Sequence, residues 1–307
     1  MDIFFQQVIN GLVQGSIYAL VALGYTMVYG IMGLINFAHG EVVMIGTLVA
    51  IAVTSSLIGA GVPVVVAGLG GLAASLLVCM ALGWSLERIA YRPLRGSPRL
   101  TPLITAIGMS IILQNLAMII WGRNYLTFPP LLPKINYEFA GAHFTLVQIA
   151  IVLISAAAMS GLVFLVYRTR LGMAMRATAQ NPAVASLMGV NINRVIAAAF
   201  VVGSALAAIA GVMVGSYYEI AHYQMGFMLG LKAFTAAVLG GIGNLAGAMA
   251  GGVLLGLIEA LGAGYIGDLS GGFLGSHYQD IFAFIVLIVV LMFKPSGLFG
   301  EKTGERA

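Results

Sequence analysis

A few charged or amide side chains stand inside otherwise apolar runs of this sequence. Glu259 is flanked by Leu257, Ile258, Ala260 and Leu261; Glu41 follows Asn36 and His39 near the start of another run; Lys232 lies early in a third, and Gln114-Asn115 interrupt a fourth. A charged group at the centre of a bilayer costs about 2.5–3.5 kcal/mol or more on insertion scales, so each such residue marks either a specific partner in the fold or a polar path. Glu259 fits a hydrogen bond to a neighbouring helix as well as it fits a path. Lys232 is expected to snorkel its long stem to the interface. Gln114, Asn115 and Glu259 are the candidate path-lining residues. A periodic series of acids, as a proton or cation pump would carry, is missing.

Residues for bond-breaking chemistry are sparse. His39, His143, His222 and His277 stand far apart and none lies in H-E-x-x-H; there is no G-x-S-x-G and no G-x-x-x-x-G-K-[ST]. The chain therefore lacks a P-loop with which to hydrolyse ATP by itself. The lone Cys79, in LLVCM, can form no disulfide within the chain and no thiolate metal cluster, and reads as a small buried hydrophobe. No cofactor or metal is implied, and an enzyme is not expected.

The elements that must hold these residues follow from composition. Hydrophobic residues make up 61% and charged residues 8% of 307 positions, against about 45–50% and 25% in soluble domains. The mean hydropathy is +1.04. Lipid is the solvent for most of this surface, which excludes a soluble enzyme, a nucleic-acid-binding domain and a disordered scaffold. Continuously apolar segments imply helices, not strands. The fold class is all-α, a polytopic transmembrane bundle of about 8–10 spans, expected at 8–32, 34–58, 62–86, 101–121, 145–167, 195–218, 227–243, 245–266 and 279–293. The seventh, ending in Gly240-Gly241-Ile242-Gly243, is short enough to be re-entrant. Residues 1–307 form a single transmembrane domain.

Eleven of the 14 basic residues fall in three places: Arg88, Arg92, Arg95 and Arg99; Arg168, Arg170, Arg176 and Arg194; and Lys294, Lys302 and Arg306. The positive-inside rule puts these in the cytoplasm, with 122–144, 219–226 and 267–278 outside. Nine crossings then give a cytoplasmic C-terminus and a periplasmic N-terminus. The first span is too long, and lacks the basic flank, for a cleaved signal peptide.

Two local patterns are sharper than the rest. Gly243, Gly247 and Gly251 form a ladder at four-residue spacing, continued by Gly252 and Gly256, which lets helix backbones approach closely inside this subunit or at an interface between subunits. In the loop 168–194, Asn181 is a good N-cap, Pro182 suits the first helical position, and Gly189 suits a left-handed stop. Val184, Leu187 and Met188 between them share one apolar face. A helix this short needs something to pack against, either a protein or the lipid surface.

The stretch SIYALVALGYTMVYGIMGLINFAHGEVVMIG (16–46) resembles the amino-terminal signature of branched-chain amino acid ABC permeases of the LivH type. The resemblance continues through SLERIAYRPLRGSPRL (85–100), LITAIGMSIILQN (103–115), RLGMAMRATAQNPAVASLMGVNINRV (170–195), GLKAFTAAVLGGIGNLAGAMAGG (230–252) and PSGLFG (295–300), and is weakest at 122–144. It implies a multi-pass subunit of a bacterial inner-membrane importer. The implied partners are a second, LivM-type permease, two cytoplasmic ATPase subunits, a periplasmic binding protein and membrane lipid, with no nucleic acid. The implied substrates are leucine, isoleucine and valine; related urea and short-amide permeases share the motifs, and a stand-alone secondary transporter is the other class of transporter. The family's cytoplasmic coupling loop matches 168–194, so Arg176, Asn181, Pro182, Val184, Leu187, Met188 and Gly189 are expected to dock the ATPase.

Overall fold

The computed structural model describes residues 2–98, 100–139, 141–269 and 279–300. His277, Arg99, Lys302 and Arg306 lie outside them, as does most of the connection 267–278. Among the described residues eleven helices dominate: α1 (Asp2–Met32), α2 (His39–Gly59), α3 (Val64–Ser85), α4 (Leu100–Trp121), α5 (Leu146–Arg168), α6 (Arg170–Gln180), α7 (Pro182–Leu187), α8 (Ile192–Tyr218), α9 (Met225–Gly240), α10 (Leu245–Leu269) and α11 (Gln279–Phe293). Seven of them (α1 to α5, α8 and α10) are long and apolar enough to cross a membrane. With 16 and 15 residues, α9 and α11 reach only about 24 and 22 Å at 1.5 Å per residue, less than a hydrocarbon core of about 30 Å. The result is an all-α polytopic bundle. Its basic end carries the loop 168–194 and the turn after α3; its far end carries 122–144.

Helix α1 runs through the middle, packed by α8, α9 and α10, with Ala19, Leu20, Val21, Ala22 and Leu23 fully buried. Its seam with α10 is glycine on glycine: side-chain carbons at Gly11 or Gly15 would fall on the backbone of Gly256–Leu257 or Gly252–Val253. The glycine ladder thus serves two neighbours inside this chain. Gly247 and Gly251 face the end of α9, at Gly240 and Ala236, while Gly252 and Gly256 face α1. Gly243 does not belong to it. With φ +97° it sits in the turn before α10, where an added Cβ would meet only Tyr29, 3.8 Å away.

The second span does not start at the basic end as 34–58 would require. Gly33, at φ +63°, stops α1, and 33–38 climb back as irregular chain. α2 begins where the His39 ring packs on Gly24, eight residues before the end of α1. Non-helical backbone at membrane depth must be satisfied by protein. Asn36, buried, does this: its Oδ1 accepts from the Ala38 N–H at 3.2 Å and from the Tyr91 hydroxyl at 2.7 Å.

The connections carry more structure than their polarity suggests. α3 continues into a π-helical turn (Leu86–Tyr91) and a short 3₁₀ turn (Arg92–Leu94). There Glu87, fully buried, pairs with Arg92 at 3.0 Å and with Arg95, which also reaches Asn193 at the start of α8. Burial draws the Arg95 guanidinium down from its usual range, opposed by the Glu87 charge. Two arginines counted for topology are therefore also a latch. At the far end, β1 (Leu126–Thr127) pairs with β4 (Ile220–Ala221), and β2 (Asn136–Phe139) with β3 (Ala142–Thr145), both antiparallel. After α11, the Leu298 and Phe299 N–H groups donate to the carbonyls of Leu239 and Gly240, both at 2.9 Å. The segment PSGLFG thereby satisfies the open C-terminal carbonyls of α9.

Candidate translocation site

Apart from the Glu87 latch, the buried charges among the described residues form two groups. In the first, α1 supplies Tyr18, α9 Lys232 and α10 Glu259. The Tyr18 hydroxyl donates to Glu259 Oε2 at 2.8 Å; Lys232 Nζ lies 3.2 Å from the same oxygen, 3.4 Å from the Tyr18 oxygen and 5.7 Å from its ring centroid. The Glu259 side chain is 1% exposed and that of Lys232 14%. Lys232 does not snorkel to an interface as expected, because an acid on the next helix holds it inside. Opposite charges buried together avoid the cost of burying either alone.

In the second group Glu41, in the first turn of α2, is fully buried. Its Oε1 accepts from Ser110 at 3.0 Å and Gln114 at 2.7 Å, both on α4. Asn115 points away: it is exposed on the outer face of α4, and its amide donates to the Ile111 carbonyl of its own helix at 2.8 Å. Neighbours on a helix are about 100° apart, so only one of the pair can face α2. Gln114, Asn115 and Glu259 therefore occupy three different environments, and the fold does not bring them together.

Two cavities flank α1. One, of about 300 Å³ at the basic end, is lined by Thr26, Met27 and Gly30 of α1, by Tyr167, Met175 and Arg176, and by the turn Ile242–Leu245. The other, of about 250 Å³ toward the far end, lies between α1, α8, β4 and α9; Tyr18, Val214, Tyr218, Met225, Leu229 and Lys232 form part of its wall. Its rim is set by the β1–β4 pairing and by His222, which hydrogen-bonds the Arg123 carbonyl through Nε2 at 3.1 Å and accepts from the Gln224 N–H at Nδ1. The ring also stacks on Tyr125, 4.6 Å between centroids.

The loop 168–194 folds as α6 and α7. Asn181 Oδ1 caps α7 by accepting from the Val184 N–H at 3.1 Å, Pro182 opens the helix, and Gly189 ends it at φ +84°. Ala185 is buried and anchors the turn, leaving Val184, Leu187 and Met188 at 53%, 86% and 81% exposure. Val184, Leu187 and Met188 thus leave an apolar face open on an otherwise polar loop. Arg176 is not part of it: it donates to the Val166 carbonyl, lies over the Tyr167 ring at 5.4 Å, and faces the cavity at the basic end.

The sequence profile described as branched-chain amino acid transport system, permease component, matches residues 7–291. The chain belongs to this permease family. The permease is 48% identical to the high-affinity branched-chain amino acid transport system permease protein BraD of Pseudomonas aeruginosa, over 99% of this chain and 98% of that one. It is 45% identical to the LivH permease protein of the corresponding high-affinity system of Escherichia coli K12, over 99% and 97%. A probable branched-chain amino acid transport permease LivH from Methanocaldococcus jannaschii is 26% identical over 95% of this chain and 91% of that one. These relatives are subunits of transport systems, not enzymes.

Sequence reasoning missed the partner of Lys232. Tyr18 and Glu259 lie 214 and 27 residues from it, and no local spacing links them. The Glu87 latch had a visible signal, an acid five and eight residues before Arg92 and Arg95 in SLERIAYRPLRG.

Proposed function

We propose that this permease forms one half of the transmembrane path of an ATP-driven importer for leucine, isoleucine and valine in the bacterial inner membrane. The full-length likeness to BraD and LivH supports this substrate class over urea or short amides. The second half is a LivM-type permease, the energy comes from two ATPase subunits, and a periplasmic protein delivers the substrate. The arginine-rich end, with the C-terminus, is cytoplasmic, and the N-terminus periplasmic, by the distribution of basic residues.

The observation that carries the coupling role is the exposed apolar face of Val184, Leu187 and Met188 on α7, held up by a capped turn that the buried Ala185 anchors. It docks in the ATPase, with Asn181, Pro182 and Gly189 shaping the helix and Arg176 fixing α6 to α5 behind it. Gln114 and Glu259 act on the path indirectly, by holding Glu41 and Lys232 in place. Asn115, exposed on α4, faces the second permease, where an amide gives an interhelical hydrogen bond.

The test is the assembled transporter in proteoliposomes. Wild-type assembly accumulates leucine when ATP is supplied; no accumulation overturns the importer reading. Leu187→Asp releases the ATPase during purification or uncouples hydrolysis from uptake, and normal uptake with the ATPase still bound overturns the docking role.

A further inference from the structure

The 250 Å³ cavity beside α1 has a wall composition that the importer reading leaves unused. One side is aliphatic, from Val214, Met225, Met228 and Leu229. At one place a charged side chain borders it: Lys232 is part of the wall, whereas Glu259, at 1% exposure, is not. Of the buried pair it is therefore the lysine that borders the cavity, and Glu259 and Tyr18 fix where its ammonium stands. Around the mouth are the rings of Tyr125 and Tyr218, both exposed, and the imidazole of His222. Aromatic faces attract cations.

Size narrows the occupant. A cavity of about 150 Å³ holds benzene, six heavy atoms, so 250 Å³ accommodates about ten by proportion. A mostly apolar pocket with a few placed polar groups is how proteins hold small molecules. One cation at an end selects a carboxylate, and an aliphatic flank selects a branched alkyl chain.

We propose that this cavity is a binding station for an aliphatic α-amino acid, with its carboxylate on Lys232, its side chain against Met225, Met228 and Leu229, and its ammonium toward the aromatic mouth. The station rests on the amino acid importer reading and adds a recognition site within the permease itself. Tyr18 and Glu259 are positioning residues. They keep the Lys232 ammonium at the wall, and Glu259 balances its charge when the station is empty.

Met228, 45% exposed in the lining, provides a reporter. In the assembled transporter in proteoliposomes, Met228→Cys is titrated with a maleimide while leucine or leucinamide is added; native Cys79 is buried. Leucine is expected to slow labelling, and leucinamide, which lacks the carboxylate, to need about tenfold more for the same protection, as loss of a charge-assisted hydrogen bond implies. Lys232→Met alone would remove the charge opposite Glu259, so the decisive variant is Lys232→Met with Glu259→Gln, which removes both charges of the pair. It should raise the half-protecting leucine concentration at least tenfold, and Lys232→Arg should largely retain protection. Absence of protection by leucine, equal protection by leucinamide, or unchanged protection in the neutral double variant overturns the station. Leucine uptake by the wild-type assembly is read in parallel vesicles of the same composition, so uptake without protection removes the station alone, and absence of uptake removes the importer reading.

Discussion

Replacing Gly251 by alanine sets two effects of known size against each other. An alanine in a helix interior is favoured over glycine by about 1 kcal/mol. At Gly251, however, the new Cβ would stand 2.7 Å from the Gly240 nitrogen and 2.9 Å from its Cα, and closer still to the Ala236 carbonyl. Carbon pairs rest at about 3.5–4.0 Å, so α9 and α10 must part by about 1 Å, and the obstacles are backbone atoms that cannot rotate aside. Overpacking costs about 1–3 kcal/mol; because the obstacles here are backbone, the upper part of that range, about 2–3 kcal/mol, applies, and the net expectation is a loss of about 1–2 kcal/mol. Gly161 on α5 is the control: nothing lies within 4 Å of its Cβ position and it faces outward. Thermal unfolding of the detergent-solubilised permease, followed by size exclusion, should show Gly251→Ala melting a few degrees lower and Gly161→Ala unchanged or higher. Equal melting points for Gly251→Ala and wild type, or an equal loss at both glycines, would refute the close-packed seam.

Other expectations follow from the same geometry. Glu87→Gln leaves Arg92 and Arg95 without their shared buried acid; removing one partner of a fully buried pair costs about 3–5 kcal/mol, and because both arginines reach partial solvent about half of that is expected, read as a lower melting point and easier proteolysis after Arg95. Thr145→Ala removes the capping box that Thr145 and Gln148 make at the start of α5 and should cost about 1 kcal/mol in the same melting assay. Asn181→Ala withdraws the cap of α7 and should weaken co-purification of the ATPase severalfold while leaving the stability within about 1 kcal/mol of wild type. Glu219, at φ +58°, is strained by about 1 kcal/mol, and its bridge to Lys134 is exposed and worth no more than that, so Glu219→Gly should leave stability nearly unchanged.

The sequence made some of this legible. Spans were readable because runs of about 20 apolar residues admit few other structures in lipid. α7 was readable residue by residue, since Asn181, Pro182 and Gly189 act through their own backbone neighbours. The start of α2 was not, because the run from 34 onward is apolar both where the chain is irregular and where it is helical; what fixes the boundary is Tyr91, 55 residues away, bonding to Asn36. The partners of Lys232, Gln114 and Asn115 depend on how each helix is rotated about its axis. Near-uniform hydrophobicity around α4 and α10 erases the periodic signal that would reveal that rotation.

The hydrogen bonds from Leu298 and Phe299 to the end of α9 have a consequence for how the chain is made. α9 emerges from the ribosome some 60 residues before the segment that completes its C-terminal carbonyls. Until PSGLFG is synthesised, Leu239 and Gly240 hold open acceptors at the end of a helix too short to carry them into water, and Gly297, at φ +78°, must then fold against Gly241 at φ +104° for the strand of tail to fit. Insertion of this bundle is therefore not finished helix by helix in the order of translation. The end of α9 stays provisional until α11 and the tail after it have been laid down beside it, and a chain arrested after α10 would present the membrane quality-control machinery with an unfinished helix end.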